Sequence, residues 1–232
     1  MLDAIFLKTK NRIMNLNWLK KIFQFIPKDE KVELSLNGLN KGHHNVTYKG
    51  IKAIRCPFDY VIYQMIIGEV RPDLIIEIGS HEGGGAMYLS DLLTAYNITG
   101  EIHTIDIHDN AKKNLAGYSN IKFFGNGAEN YDLTLAERFS KILVIEDAAH
   151  TYECSKSAID KFASIVSISS YLIVEDGIVN ELGIEKEYGG GPLKAIREFL
   201  PSHPEFIVDR KWCDMFGKNA TFNVNGYLKK IK

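Results

Sequence analysis

The chain has 232 residues, 45% of them hydrophobic and 25% charged, with a net charge of −1. That is enough apolar material for one α/β domain plus a short extension, and it excludes a disordered chain and a broad electrostatic trap for nucleic acid. Cys56, Cys154 and Cys213 are far apart and form neither a CxxC pair nor a closed disulfide set, so a reducing, cytoplasmic setting is expected. No apolar run reaches the ~20 residues of a membrane span, and Asp3 and Lys8 interrupt the first apolar stretch too early for a secretory signal.

Residues 1–30 place Leu2, Ile5, Phe6, Ile13, Leu16, Leu19, Ile22 and Phe23 at roughly helical spacing among lysines, and Pro27 is predicted to end the stretch. Such a basic amphipathic segment is expected to pack in homo-oligomer assembly rather than on a membrane. Residues 1–46 are therefore expected to form an N-terminal helical extension and linker, and 47–232 the main domain. Residues 36–56, with Asn37-Gly38, Lys41-Gly42 and Lys49-Gly50, predict turns and short irregular pieces.

From about residue 57 strand and helix signals alternate. Leu74–Ile78 is a nearly continuous apolar run, as a parallel strand buried on both faces should be. Further strands are predicted at 101–107, 121–124, 142–145, 171–174, 205–208 and 227–231. Helices are predicted at 83–95 and near 109–117, 130–139, 152–166 and 192–200. This alternation predicts a mostly parallel seven-stranded α/β sheet with helices on both faces.

Ligands of such sheets bind beyond the carboxyl ends of the strands. The first strand ends in Glu77-Ile78-Gly79-Ser80-His81-Glu82-Gly83, a backbone-open turn that is neither GxGxxG nor a P-loop. The acid at Glu77 suits an amine-bearing ligand better than a pyrophosphate. Asp106, with Ile107 after it, tips the second strand where a ribose acceptor usually stands. Gly127-Ala128 follows the third strand. Three such turns on one edge predict a nucleoside pocket. The next two strands end in Glu146-Asp147 and Glu175-Asp176. Clustered carboxylates call for a cation, and they are the hard ligands that Mg²⁺, Ca²⁺ or Mn²⁺ prefer. Side-chain alternation keeps Glu146 and Asp147 apart, so Asp147, Glu175 and Asp176 are the expected metal ligands. His150, three residues after Asp147, is the candidate general base.

The segments Arg55-Cys56-Pro57-x-Asp59-Tyr60, Val70-Arg71-Pro72-Asp73, Asp147-x-x-His150, Tyr171–Asp176, Gly191–Leu200 and Asn225–Lys229 together resemble the cephalosporin hydroxylase / rhamnosyl O-methyltransferase family over roughly 47–230. The resemblance implies a Rossmann-like class I methyltransferase domain over 47–232. It implies S-adenosylmethionine (SAM) held by Glu77, Gly79, Ser80, Gly83, Asp106, Ile107, Gly127, Ala128 and Asp147. It also implies Mg²⁺ on Asp147, Glu175 and Asp176. Members usually read Asp-Ser-Asp-His where this chain has Asp147-Ala148-Ala149-His150, and Gly-Ser-Ala where it has Gly84-Gly85-Ala86. The expected reaction is O-methylation of a sugar or secondary-metabolite hydroxyl, with Asp147 and His150 catalytic. The 178–191 loop and its Gly189-Gly190-Gly191 are expected to form a lid over the acceptor. A hydroxylase is disfavoured, because no two-His-one-carboxylate set for iron is apparent. A non-catalytic nucleoside-binding assembly protein is the other alternative.

Overall fold

The computed structural model describes residues 32–232. The predicted N-terminal element of residues 1–30 lies outside the described residues. Residues 36–232 form one compact unit.

The unit opens with α1 (Leu36–His43), then a hairpin of β1 (Thr47–Tyr48) and β2 (Ile51–Lys52). Lys49 and Gly50 both have positive φ, as a two-residue hairpin turn requires. The helix is a departure from the turns predicted for this stretch. Its glycines weaken it, but Leu36 and Leu39 pack on the core, and that burial outweighs propensity. A second departure is α2 (Pro57–Val70), which was not predicted. Pro57 fits the first turn, where its missing N–H costs nothing. Ile62, Tyr63, Ile66, Ile67 and Val70 then face the sheet at helical spacing.

The sheet comprises β3 (Leu74–Ile78), β4 (Glu101–Ile105), β5 (Ile121–Phe124), β6 (Ile142–Glu146), β7 (Tyr171–Val174), β8 (Phe206–Val208) and β9 (Tyr227–Lys230). Their spatial order is β5-β4-β3-β6-β7-β9-β8. The first five strands are parallel, whereas β9 runs antiparallel to both β7 and β8. Interleaved with them are α3 (Gly84–Ala95), α4 (Lys112–Leu115), α5 (Tyr152–Phe162), α6 (Gly191–Phe199) and α7 (Arg210–Cys213). Alternation along the strands splits the core in two. Leu74, Ile76, Val144, Leu172 and Val174 pack against α5 and α6. Ile75, Leu143, Ile145 and Ile173 pack against α2 and α3. The predicted seven-stranded, two-faced sheet is therefore present.

The helix predicted near 130–139 is instead two short 3₁₀ turns, Ala128–Asn130 and Leu133–Ala136. Asp132 accepts the Thr134 backbone N–H and hydroxyl, and this local closure competes with an α-helix.

Asp59 on α2 is fully buried and ties this helix to the C-terminal segment. Its carboxylate accepts the Phe222 N–H at 3.0 Å, the Tyr227 hydroxyl at 2.9 Å and the Thr221 hydroxyl. Burial pushes the carboxyl up to about 7, against those hydrogen bonds. An acid that holds its proton more tightly folded than unfolded contributes less stability as pH rises from its unfolded value, 3.8, through about 7. Asp59→Ala, which strands three buried donors, should cost on the order of 3 kcal/mol in denaturant unfolding. Asp59→Asn should flatten the pH dependence of Tm between pH 5 and 7 in scanning calorimetry.

Candidate active site

Parallel register brings the strand ends into line. Ile78 lies opposite Glu146, and Glu146 opposite Val174. The next residues, Gly79, Asp147 and Glu175, therefore leave the sheet side by side at the point where strand order reverses, between β3 and β6. Asp147 donates its N–H to the Ile78 carbonyl at 2.8 Å, and Glu175 donates its own to the Glu146 carbonyl at 2.9 Å. A side chain at Gly79 would collide with the Asp147 carbonyl, and its φ of +104° is left-handed, so only glycine fits.

A cavity of about 600 Å³ opens above this edge. Glu77, Gly79, Ser80, Asp106, Ile107, Gly127, Ala128, Asp147, His150 and Asp176 of the predicted set all line it. Gly83 does not. It caps α3 with a φ of +92° and packs against Leu115 and Ala111. Glu175 also lies outside the lining.

Asp106 is engaged by the protein itself. One carboxylate oxygen accepts the Ser80 and His81 N–H groups at 3.0 and 2.9 Å. The other accepts those of Ile107 and His108 at 2.7 and 3.0 Å. It therefore shapes the glycine turn, and a ribose hydroxyl would have to share its lone pairs. Ser80 shares a 2.6 Å hydrogen bond with Thr104, whose hydroxyl donates to Glu77 Oε2 at 2.7 Å. Burial pushes Glu77 up to about 7, although Arg55 and Thr104 pull it down.

The acidic cluster contains a residue to which the sequence assigned no role. The Arg55 guanidinium is buried and reaches Glu175 Oε1 through Nη2 at 2.6 Å and through Nε at 3.1 Å. Nη2 also contacts Asp147 at 3.1 Å. Tyr63 donates its hydroxyl to the same Glu175 oxygen at 2.7 Å. Burial opposes the charge on Arg55, but the facing Glu175 and Asp147 carboxylates raise its pKa well above the ordinary value. Asp147 is driven well above the usual carboxylate range by burial and by Glu175, with Arg55 pulling the other way.

The carboxylate set thus divides. Glu175 is held by Arg55 and Tyr63, whereas Asp147 and Asp176 converge with His150. One ligand atom from each of these three lies within 4.8 Å of the others. His150 Nε2 is 3.2 Å from Asp176 Oδ2. Glu146, as alternation predicted, points away from the cavity and is fully buried.

A mostly parallel sheet with this strand order and an open cleft at its switch point defines a class I methyltransferase fold. Solved structures agree. A CmcI structure with SAH aligns at TM-score 0.63 and 17% identity, over 97% of this chain and 95% of that one. An O-methyltransferase from Bacillus cereus in complex with SAH aligns at 0.54 and 15%, over 93% and 96%. The rhamnosyl O-methyltransferase of Mycobacterium leprae is 29% identical over 195 residues, 80% of this chain and 83% of its own. That of Mycobacterium tuberculosis is 26% identical over 191 residues, 78% and 77%. Residues 40–231 match the family described as Rhamnosyl O-methyltransferase/CmcI, and the chain belongs to that family.

Gly79→Ala forces the β3 and β6 ends apart. It should lower stability by on the order of 3 kcal/mol and abolish nucleoside binding, as read by denaturant titration and calorimetry.

Proposed function

We propose that this chain is a SAM- and divalent-metal-dependent O-methyltransferase acting on a hydroxyl of a sugar or a secondary metabolite. The observation that carries this reading is the convergence of Asp147, His150 and Asp176 in the lining of a cavity that the glycine turn after β3 also lines. Its relatives named rhamnosyl O-methyltransferase supply the sugar hydroxyl as the acceptor class, and CmcI has been solved with Mg and SAM.

The donors suit a hard cation. Two carboxylates with one imidazole are oxygen-rich, unlike the two-His-one-carboxylate set of iron oxygenases. Asp147 and Asp176 would hold the ion, with His150 beside them. Glu175 would act behind them, positioning Arg55. Bound there, Mg²⁺ would supply Lewis acidity toward the acceptor oxygen. SAM supplies a methyl group on a sulfonium.

The remaining work falls to the chain's own residues. His150 lines the cavity beside Asp176, with its Nε2 3.2 Å from Asp176 Oδ2, and is the side chain that takes the acceptor's proton. The turn after β3, with Gly127 and Ala128 after β5, orients the nucleoside. Ile178, Val179, Leu182, Ile184 and Tyr188 form an apolar wall that excludes water and covers the acceptor's apolar face. These residues come from the segment expected to act as a lid. Orienting both reactants in line supplies much of the rate.

Residues 1–30 are proposed to serve homo-oligomer assembly on the strength of their amphipathic sequence. Their deletion should change the mass measured by light scattering and leave cofactor affinity intact. An unchanged mass, with full-length protein floating on anionic liposomes, would reverse that assignment.

Asp176→Asn keeps shape and removes a metal-ligating charge. Calorimetric Mg²⁺ binding should weaken at least about tenfold, near the 1.4 kcal/mol that corresponds to one decade, while SAH binding persists. Methyl transfer to hydroxylated acceptors, followed by mass spectrometry with labelled SAM, should stop in EDTA. Full turnover in EDTA by protein in which no divalent ion can be titrated would sink the metal role.

A further inference from the structure

Helix α1 carries two residues that packing does not explain. At helical spacing Leu36, Leu39, Asn40 and His43 fall on one face of it. Leu36 and Leu39 pack against the core, so this is the face turned into the protein. Helical patterning calls for apolar residues at all four positions. The last two are instead an amide and an imidazole, and His43 is only 7% exposed. A polar group carried inward costs stability unless something pairs with it.

Both residues line the cavity. The His43 ring meets Phe222 edge-on, with centroids 5.0 Å apart. The Phe222 carbonyl accepts the Ile178 N–H at 2.9 Å, which ties this contact to the start of the apolar wall. Burial lowers the pKa of His43, the nearby His44 adds to this, and Asp176 opposes it, so the ring is neutral. Its Nδ1 is buried without a hydrogen-bond partner among the described residues, which leaves Nε2 as the ring nitrogen available to a ligand. The inward face of α1 is therefore apolar where it meets the core and polar where it meets the cavity. An amide and a neutral imidazole each donate and accept hydrogen bonds, which suits uncharged hydroxyls better than an ion. The wall from Ile178 to Tyr188 suits C–H groups. A ring with hydroxyls on its edge and C–H groups on its face, a pyranose, satisfies both.

We infer that Asn40 and His43 read the acceptor: they hydrogen-bond hydroxyls beside the one that is methylated, and so set which hydroxyl of a pyranose ring reacts. This inference rests on the O-methyltransferase reading given above and adds to it two specificity-determining residues from outside the sheet.

The test offers methyl α-L-rhamnopyranoside, methyl α-D-glucopyranoside and catechol to the protein with labelled SAM and Mg²⁺, and locates the methyl group by NMR. Wild-type protein should methylate a pyranoside at one position. Asn40→Leu and His43→Leu complete the apolar face of α1, so Tm should hold or rise, and SAH affinity by calorimetry should stay the same. In both variants KM for the pyranoside should rise at least about tenfold, the worth of one hydrogen bond to substrate, with kcat within about threefold. The methyl group should spread over neighbouring hydroxyls. His43→Gln, whose amide reaches the position of Nε2, should recover most of the loss in KM. Unchanged KM and product position in both leucine variants would overturn the assignment. So would a joint loss of Tm and SAH affinity, which would make α1 a structural element only. Methylation of catechol alone, or of none of the three by protein that binds SAH, would overturn the pyranose acceptor. Failure to bind SAH would overturn the SAM reading itself.

Discussion

The site is organised around one buried guanidinium. Arg55 and Glu175 have side chains only 2% and 4% exposed and meet at 2.6 Å. Taking both charges out of water costs several kcal/mol per ion, and close contact recovers that only when the remaining donors and acceptors are also satisfied. Tyr63 meets the second condition for Glu175, and Asp147 takes a further Arg55 hydrogen bond. Because a buried ion pair is weak evidence for net stability, its value here lies in position. It fixes where the ends of β6 and β7 point, and it joins them to the segment before α2. Removing one partner would leave a bare charge in the core, at a cost of about 3–5 kcal/mol.

The pair is anchored in a buried polar network. Asn223 donates to the Tyr63 and Tyr227 hydroxyls at 3.4 and 3.2 Å, and Tyr227 donates in turn to Asp59. Asn223 also accepts the Asp176 N–H at 3.4 Å. The chain from 221 to 227 thus touches α2, the Glu175 support and the backbone of a metal-ligand candidate at once. This explains why β9 must sit beside β7. The antiparallel pairing of β9 with β7 holds that segment beside the end of β7.

The parts legible in the sequence are those where local chemistry and tertiary role coincide. The stems of β3, β6 and β7 are buried on both faces, so they read as apolar runs. The residues that leave them, Gly79, Asp147 and Glu175, announce the edge. The division of the acids was not legible. Arg55 is 92 residues from Asp147 and 120 from Glu175, so spacing gives no hint that its guanidinium claims Glu175. Its signal was available one step away. Pro57 followed by Ile62, Tyr63, Ile66, Ile67 and Val70 spells a helix that packs on the sheet, and a cation just before such a helix is carried inward. The helix predicted near 130–139 failed for the opposite reason, because Asp132 closes a local turn that apolar periodicity does not register.

Two strained residues complete the site. His150 and Asp176 both have φ of +55°, a conformation that costs a non-glycine residue on the order of 1 kcal/mol. Such strain persists only where surrounding contacts enforce it. Around Asp176 these are the Asn223 hydrogen bond to its N–H and the short 3₁₀ turn that begins at Gly177. Had β7 continued as regular strand, alternation would have sent residues 175 and 176 to opposite faces with no turn between them. The left-handed kink instead lets Glu175 stay in the core against Arg55 while Asp176 swings out to meet His150 at 3.2 Å. One kinked residue therefore separates a carboxylate held by Arg55 and Tyr63 from a carboxylate that lines the cavity, and adjacent acids with the same charge have different surroundings.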